Sequence, residues 1–254
     1  MPPRDEAQWD FYECVANGVR SFVSLDLEAR ADAPQPERPY LVRVTCALEA
    51  PRADGLYAPT EGEALRRLGA LVEGTLAERL DAVYVGRLIG GGRARHYFYA
   101  NTLEGIEGAV EALTAAADYR LMVEADEDSG WREYLEFLYP NQLGWQYIGN
   151  RHVLERLAAD GDLHDRPRPV DHSASFPRED YARDFAQVLG ARGFQVEQIE
   201  EGDAGRWEVA ARREHAVDLP SINEVTYGLV RLCEEFLGEY EGWGCHVQTE
   251  ADDG

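Results

Sequence analysis

The order of structural elements is clearest in residues 220–249, PSINEVTYGLVRLCEEFLGEYEGWGCHVQT. Apolar side chains recur there at helical spacing, which predicts an amphipathic helix that begins at Pro220 and buries one stripe. The stripe consists of Ile222, Val225, Leu229, Leu232 and Phe236. Gly238 is well placed to cap the C-terminus of this helix, and residues 244–249 are predicted to form the last strand.

Four further elements precede this pair in the second half of the chain. Residues 170–174 alternate as a strand should, and a helix is predicted from Pro177. Residues 194–200 and 206–213 are predicted to be two strands joined by a turn. The order over residues 170–249 is therefore β-α-β-β-α-β, the ferredoxin-like motif in which two helices cover one face of an antiparallel sheet.

The first half of the chain repeats this order after a hairpin. Two β-rich runs flank Asn17-Gly18, a dipeptide typical of a tight hairpin turn. Thr60 and Glu63 have the spacing of a capping box, which predicts the start of a helix there. Residues 40–125 then continue as β-α-β-β-α-β. The predicted fold class is α+β, with two ferredoxin-like (βαββαβ) antiparallel sandwiches, the first preceded by a β-hairpin.

The domain boundary is predicted from a break in this pattern. Residues 131–139 suggest a short helix that Pro140 stops, and residues 141–150 contain two glycines and suggest a connector. We therefore predict an α+β domain over residues 1–147 and a second ferredoxin-like domain over residues 148–254.

The charge of the chain limits its partners. The 254 residues include 48 acidic and 25 basic side chains, which gives a net charge of −23. Such a charge argues against direct binding to nucleic acid or to an anionic membrane surface, because the attraction that drives this binding becomes repulsion. No apolar run reaches the ~18–20 residues that span a bilayer. A basic protein partner is the class of macromolecule that this charge favours.

The cysteines indicate a reducing compartment. Cys14, Cys46, Cys233 and Cys245 form no C-x-x-C pair, so we expect reduced thiols and no zinc site. Residues 1–6 lack the pattern of a signal peptide. We therefore expect a cytoplasmic protein.

No arrangement of residues predicts catalysis. Asp171 and His172 are adjacent on a strand, so their side chains point to opposite faces and cannot form a dyad. A metal site built from His172, His215, Asp218 and His246 is conceivable, but their spacing does not require one. We therefore expect no catalytic residue, no metal and no cofactor. A metal-assisted hydrolase that uses the His and Asp residues of the second domain remains an alternative function.

The most unusual short stretch is YEGWG, residues 240–244. In one interpretation it is a glycine-rich turn that presents an aromatic ring to a partner. In the other it is a tight helix-to-strand turn in which Trp243 fills the core. Glycines mark turns more often than they build sites, which favours the second interpretation on the sequence alone.

An ordered set of short motifs runs through the second half. It comprises Gly161-Asp162, Arg168-Pro169-Val170-Asp171-His172, Phe176-Pro177, Gly193-Phe194, His215, Asn223-Glu224 and Gly238-x-Tyr240-x-Gly242-Trp243. Over residues 148–248 this set resembles the RraB family, whose members regulate the activity of ribonuclease E. The family usually carries Asp where this chain has Glu241.

The resemblance implies a function. It implies a small ferredoxin-like protein that binds ribonuclease E directly and lowers its activity without catalysis. The partner's Arg-rich RNA-binding segments would suit an acidic surface. On this basis the partner-binding residues are predicted to be Glu239, Tyr240, Glu241, Trp243, Asp171 and His172.

The first half resembles a second family. It carries Trp9-Asp10-Phe11-Tyr12, Tyr84-Val85-Gly86-Arg87, Tyr97-Phe98-Tyr99 and Trp131-x-x-Tyr134-x-x-Phe137-Leu138-Tyr139-Pro140. These motifs are similar to an uncharacterised domain family of the DUF695 type, which is often joined to an RraB-like domain. That resemblance implies a fold and no activity. A third function therefore stays open, a small-molecule sensor with its ligand at the interface between the two sandwiches.

Overall fold

A computed structural model describes residues 8–202 and 205–249. The chain divides into two compact units, residues 1–144 and 145–254. Residues 1–6, where we expected no signal peptide, lie outside the described residues. All four cysteines are free, and Cys46 and Cys233 are buried. In the described part of the chain, no helix combines the length and the apolar character needed to cross a membrane.

The first unit is built on a six-stranded antiparallel sheet. Its strands are β1 (Trp9–Ala16), β2 (Val19–Asp26), β3 (Tyr40–Ala47), β4 (Val83–Gly90), β5 (Arg93–Ala100) and β6 (Leu121–Glu127). Its helices are α1 (Ala29–Asp32), α2 (Gly62–Leu80) and α3 (Ile106–Ala116), with a 3₁₀ turn at Pro59–Glu61 and a π-helical segment at Glu133–Leu138. The strand order is β1-β2-β4-β5-β3-β6, so the hairpin β1-β2 extends a ferredoxin-like sheet at β4.

The second unit has the same motif without the hairpin. Helix α4 (Gln142–Ala159) leads into it from the end of the first unit. Its further elements are β7 (Arg168–Phe176), α5 (Glu179–Ala191), β8 (Gln195–Glu201), β9 (Trp207–His215), α6 (Leu219–Glu235) and β10 (Glu239–Cys245). The sheet order is β10-β7-β9-β8. The predicted fold class, two ferredoxin-like sandwiches with a hairpin before the first, is therefore confirmed.

The hairpin between β1 and β2 has the turn that its sequence predicts. Asn17 and Gly18 both have positive φ angles, 51° and 78°. A type I′ turn requires this conformation at both central residues, and Asn and Gly tolerate it best.

The predicted N-cap of α2, Thr60, is wrong by one residue. The helix begins at Gly62, after Glu61, and no side chain caps its N-terminus. The carboxylate of Glu61 is buried, where it accepts hydrogen bonds from the backbone N–H of Glu49 at 2.8 Å and from Tyr119 Oη at 3.0 Å. These long-range bonds fix the residues before the helix as a 3₁₀ turn, so Thr60 and Glu63 form no capping box.

The predicted connector at residues 141–150 is also wrong, because α4 already begins at Gln142. Asn141 Oδ1 accepts a hydrogen bond from the backbone N–H of Gly144 at 3.0 Å, as a side chain at a helix start does. A Cβ at Gly144 would lie 2.8 Å from Pro140 Cβ and 3.0 Å from the Tyr12 ring. This glycine therefore permits close packing and does not break the helix.

The first sheet is covered on both faces. Helices α2 and α3 pack on one face, around Val44, Phe98 and Leu113. On the other face the Trp131 ring stacks on Tyr99 with 4.0 Å between the ring centroids. Because both faces of β5 are covered, its residues 96–100 are all buried and show no alternation.

Candidate functional site

The second sheet has one covered face and one open face. Helices α5 and α6 pack on the covered face, around Ala174, Phe185 and Leu229. Between the inward positions of β7, Asp171 and Ser173 point to the open face and are exposed. The open face is therefore the accessible surface of this sheet.

Residues 239–245 form an edge strand, so the predicted turn at 240–244 and the predicted last strand at 244–249 are both wrong. The pairing of β10 with β7 shifts between Tyr240 and Gly242, which makes Glu241 the extra residue of a β-bulge. Gly242 has a φ of 145°, in a region that favours glycine. The glycines that suggested a turn allow the strand to bulge.

The six residues predicted to bind a partner do not share one surface. Glu239, Glu241 and Asp171 are exposed. The other three, His172, Tyr240 and Trp243, lie on the helix-covered side of the sheet. The structure therefore separates the predicted carboxylates from the predicted aromatic anchors.

The carboxylates on β10 are tied into the sheet by Ser175 and Arg206. Ser175 Oγ donates to Glu241 Oε1 at 2.5 Å and accepts from Arg206 Nε at 3.0 Å. The Arg206 guanidinium also lies 3.4 Å from the Glu239 carboxylate. Because Ser175 is buried, this network fixes where the two glutamates sit on the open face.

Asp171 belongs to a second network on the same face. Arg212 Nε donates to Asp171 Oδ1 at 2.6 Å, and another nitrogen of Arg212 lies 2.9 Å from Glu197 Oε1. One arginine thus serves two carboxylates, one on β7 and one on β8. Together the two networks contain four carboxylates and two arginines, so their summed charge is negative.

The open face as a whole is acidic. Among the described residues, the exposed carboxylates on this face are Asp171, Glu197, Glu200, Glu208, Glu214, Glu239 and Glu241. Within the described part of the chain, the arginines that oppose them on this face are Arg206 and Arg212. The middle of the face carries small residues, because Gly242, Ser173 and Ala210 are neighbours across three strands. We call this surface the acidic face.

Beneath the sheet, three side chains form a directed chain of hydrogen bonds. His215 Nδ1 lies 2.7 Å from the Ala216 carbonyl, so this nitrogen carries the proton. The other nitrogen, His215 Nε2, is then an acceptor, and His172 Nε2 donates to it at 3.1 Å. Tyr240 Oη in turn donates to His172 Nδ1 at 2.8 Å. With both imidazoles neutral, these three side chains are fully hydrogen-bonded.

Burial keeps this chain of side chains uncharged. Burial lowers the pKa of His172 to about 3, and the nearby His215 and Arg213 act in the same direction. Burial also lowers the pKa of His215 and raises the pKa of Tyr240 well above its ordinary value. These three side chains are neutral and hydrogen-bonded to one another beneath the sheet, and they hold β10 and β9 against β7.

Trp243 also serves the interior of the second unit. Its Nε1 donates to Asn150 Oδ1 at 2.8 Å, and the Asn150 side chain is completely buried. Asn150 Nδ2 donates to Asn223 Oδ1 and to Thr226 Oγ1, each at 2.8 Å. The indole therefore joins β10 to α4 and α6, as the core interpretation of Trp243 expects.

A buried ion pair was not anticipated from the sequence, although its residues lie in the quoted motifs. The Arg168 guanidinium donates to the Asp162 carboxylate, and both side chains are almost completely buried. Asp162 Oδ2 also accepts from the backbone N–H of Gln248 at 2.8 Å. Asp162 and Arg168 carry opposite charges in two neighbouring motifs, and this is the signal that could have indicated the pair. It attaches the segment before β7 to the segment after β10.

Within residues 8–202 and 205–249, no three His, Cys, Asp or Glu side chains come close enough together to hold a metal ion. Of the four residues considered for a metal site, His172 and His215 are in contact through their Nε2 atoms. Asp218 instead accepts hydrogen bonds from the backbone N–H and the hydroxyl of Ser221, which caps α6.

The strand order and the acidic face define the second unit as a ferredoxin-like domain with one open sheet face. Two family models match the chain. Residues 7–139 match DUF695, a family of unknown function, and residues 148–245 match RraB, regulator of ribonuclease activity B. The first match spans more than half of the chain, so this chain belongs to the DUF695 family and carries an RraB domain after it.

No curated protein matches the chain. Among solved structures, one match is a crystal structure titled as a candidate transcriptional repressor of the glycine cleavage system. It is 8% identical in sequence and has a TM-score of 0.26, over 82% of this chain and 98% of that chain. A similarity this low adds nothing to the strand order described above.

Proposed function

We propose that this chain is a non-catalytic regulator that binds a ribonuclease through the acidic face, and that the ribonuclease is ribonuclease E. The observation that carries the proposal is the match of residues 148–245 to the regulator of ribonuclease activity B. A cytoplasmic location belongs to the same proposal, because RNA decay takes place there.

The charge of the open sheet face supports a basic partner. Seven exposed carboxylates and two arginines lie on this face among the described residues. Complementary charge accelerates the encounter of two proteins and orients them. The small residues in the middle of the face leave room for long Arg side chains to lie across the sheet.

The six predicted partner-binding residues then divide into two roles. Asp171, Glu239 and Glu241 make contacts with the partner, because they are exposed on the acidic face. Their neighbours Tyr240 and Trp243, together with His172, fix the position of β10 from its covered side. The proposal therefore assigns direct contact to the carboxylates alone.

The test compares two double variants with the same loss of charge. Glu239→Gln with Glu241→Gln removes two carboxylates from the acidic face. Glu234→Gln with Glu235→Gln removes two exposed carboxylates from the end of α6, outside that face. Binding to purified ribonuclease E is measured by surface plasmon resonance at low salt, and the melting temperature of each variant is recorded.

We expect the β10 double variant to bind about thirtyfold more weakly, because two lost contacts to charged groups at ~1 kcal/mol each amount to ~2 kcal/mol. The α6 double variant should bind within twofold of the parent. Equal binding by the parent and a folded β10 variant would show that the acidic face does not contact the partner.

A further inference from the structure

The first unit contains a groove that the ribonuclease proposal does not use. It has a volume of about 810 Å³ and lies between the β1-β2 hairpin and the start of α2. Strands β1, β2 and β4 line it with Phe11, Phe22, Ser24 and Arg87, and the loop before α2 contributes Tyr57. Pockets of ~300–1,000 Å³ are typical of small-molecule sites.

Aromatic rings line much of this groove. Phe11 and Phe22 lie on adjacent strands, and Tyr57 faces them from the loop. Phe11 and Tyr57 remain 39% and 37% exposed, although both are large apolar side chains. Exposed aromatic rings that converge in a concave site provide a surface for a flat apolar ligand.

Three arginines and one glutamate line the groove, and one of the arginines has no ion-pair partner among the described residues. Arg52 pairs with Asp54 at 2.8 Å, and Arg66 pairs with Glu63. Arg87, by contrast, makes no ion pair or hydrogen bond with any residue of the described ranges, and its Nε is buried without a partner. Leaving a partly buried guanidinium unpaired is costly, and the chain has nearly twice as many acidic as basic residues.

The neighbours of Arg87 do not neutralise it. Arg87 lies opposite Ser24 on β2 and opposite His96 on β5. The His96 imidazole is buried and in contact with Tyr84 Oη, 3.3 Å from Nδ1. Burial, reinforced by the Arg87 charge, lowers the pKa of His96 to about 3, so this imidazole is neutral. Among the arginines that line the groove, Arg87 is therefore the one without an ion-pair partner in the described ranges.

We propose that this groove binds a small aromatic carboxylate. The carboxylate meets the guanidinium of Arg87, whose planar fork matches two carboxylate oxygens. The aromatic body lies among Phe11, Phe22 and Tyr57. The site lies within the first unit and does not depend on the ribonuclease proposal.

The first experiment uses a matched pair of probes, 2-naphthoate and its neutral amide, 2-naphthamide. Each is titrated into the full chain by isothermal calorimetry. We expect 2-naphthoate to bind at least about tenfold more tightly, because a hydrogen bond to a charged group is worth more than one to a neutral group. Equal affinities for the two probes, or no binding of 2-naphthoate, would overturn the proposal.

The second experiment tests whether Arg87 causes the preference for 2-naphthoate over 2-naphthamide. In Arg87→Gln we expect the preference for 2-naphthoate to disappear, while 2-naphthamide binding stays within about twofold. Arg67→Gln is the matched control, because Arg67 is an exposed arginine of α2 that does not line the groove. A preference that survives in Arg87→Gln, or that Arg67→Gln also loses, would contradict the proposed site.

A third variant tests the site without removing the arginine. Ser24→Glu places a carboxylate directly across from Arg87, where it can form the missing ion pair and exclude a ligand. We expect this variant to lose 2-naphthoate binding and to melt no lower than the parent. Parental binding of 2-naphthoate by Ser24→Glu would count against Arg87 as the anchor.

Discussion

The indole of Trp243 and the imidazole of His172 both form hydrogen bonds with polar atoms inside the second unit. Trp243 Nε1 donates to Asn150 Oδ1, and His172 bonds to Tyr240 on one side and to His215 on the other. Removing one partner of such a bond takes a hydrogen bond from a buried group, which lowers the stability of the folded chain. Each side chain therefore has a specific effect on stability that exposed residues of the same type lack.

Trp243→Phe keeps a ring but removes the donor to Asn150. We expect the free energy of unfolding to fall by about 0.5–1.5 kcal/mol, because the buried amide oxygen loses one hydrogen bond and keeps the one from Gln146 Nε2 at 2.8 Å. Urea unfolding measures the change. Trp9→Phe is the control, since Trp9 is 41% exposed and stacks on Tyr84 through its ring. A loss in Trp243→Phe no larger than in the control would contradict this role.

His172 should make the second unit sensitive to acid. Its folded pKa of about 3 lies below the ordinary value of about 6.5, so the unfolded chain takes up the proton first. Its contribution is complete above pH 6.5 and is lost as the pH falls from 6.5 towards 3.

Between pH 7.5 and 5 we expect His172→Gln to lose about 2 kcal/mol less unfolding free energy than the parent. Urea unfolding at both pH values measures this difference. His246→Gln, at an exposed histidine, is the matched control. An unchanged pH dependence in His172→Gln would show that this imidazole does not carry the effect.

A glycine stands near each end of the contact between β10 and β7. A Cβ at Gly238 would lie 2.2 Å from a ring carbon of Phe176 and 2.9 Å from the Ser175 carbonyl oxygen. A Cβ at Gly244 would meet nothing within 4 Å. The two positions therefore differ in packing although they lie on the same short segment.

Gly238→Ala should destabilise the second unit by about 1–3 kcal/mol, because Phe176 is buried and cannot move aside freely. Gly244→Ala should change the unfolding free energy by less than ~0.5 kcal/mol. Urea unfolding provides the measurement: the midpoints of the variants are compared, and their m-values should equal that of the parent. Similar losses in both variants would indicate a general effect of strand glycines.

The elements whose positions were predicted well are those with a strong local pattern. The apolar stripe of α6 and the Asn17-Gly18 turn depend on neighbouring residues, so the sequence displays them. Helix α4 and strand β10 were misplaced because their glycines looked like breaks. Gly144 is required by the distant Tyr12 ring, and Gly242 by the bulge against β7. Contacts between residues far apart in sequence are absent from local patterns.

The six partner-binding residues stay a prediction, and the structure gives the face of the sheet on which each of them lies. The carboxylates Glu239, Glu241 and Asp171 do lie on one face. The bulge after Tyr240 changes which side chains of β10 point inwards, and one shifted residue moves a side chain to the opposite face. The groove at Arg87 was not anticipated, because a missing ion pair becomes visible only when all neighbours are placed.

At the scale of the whole molecule, a net charge of −23 affects every encounter. We expect the association rate with ribonuclease E to fall at least tenfold between 0.05 and 0.5 M NaCl, because salt shortens the reach of charges. Stopped-flow measurements test this. 2-Naphthoate binding in the groove should depend much less on salt, since Arg87 is partly buried. A salt-independent association rate would contradict charge steering.

The bulges in the second sheet have a consequence for how copies of this chain behave together. Both edge strands are irregular, β10 between Tyr240 and Gly242 and β8 between Val196 and Gln198. A flat edge offers unpaired backbone groups to any passing strand and so seeds fibrils. Here a second molecule would meet a kinked backbone flanked by negative charge. One face of the sheet can therefore stay uncovered by helices while the edges of the sheet resist polymerisation at high concentration.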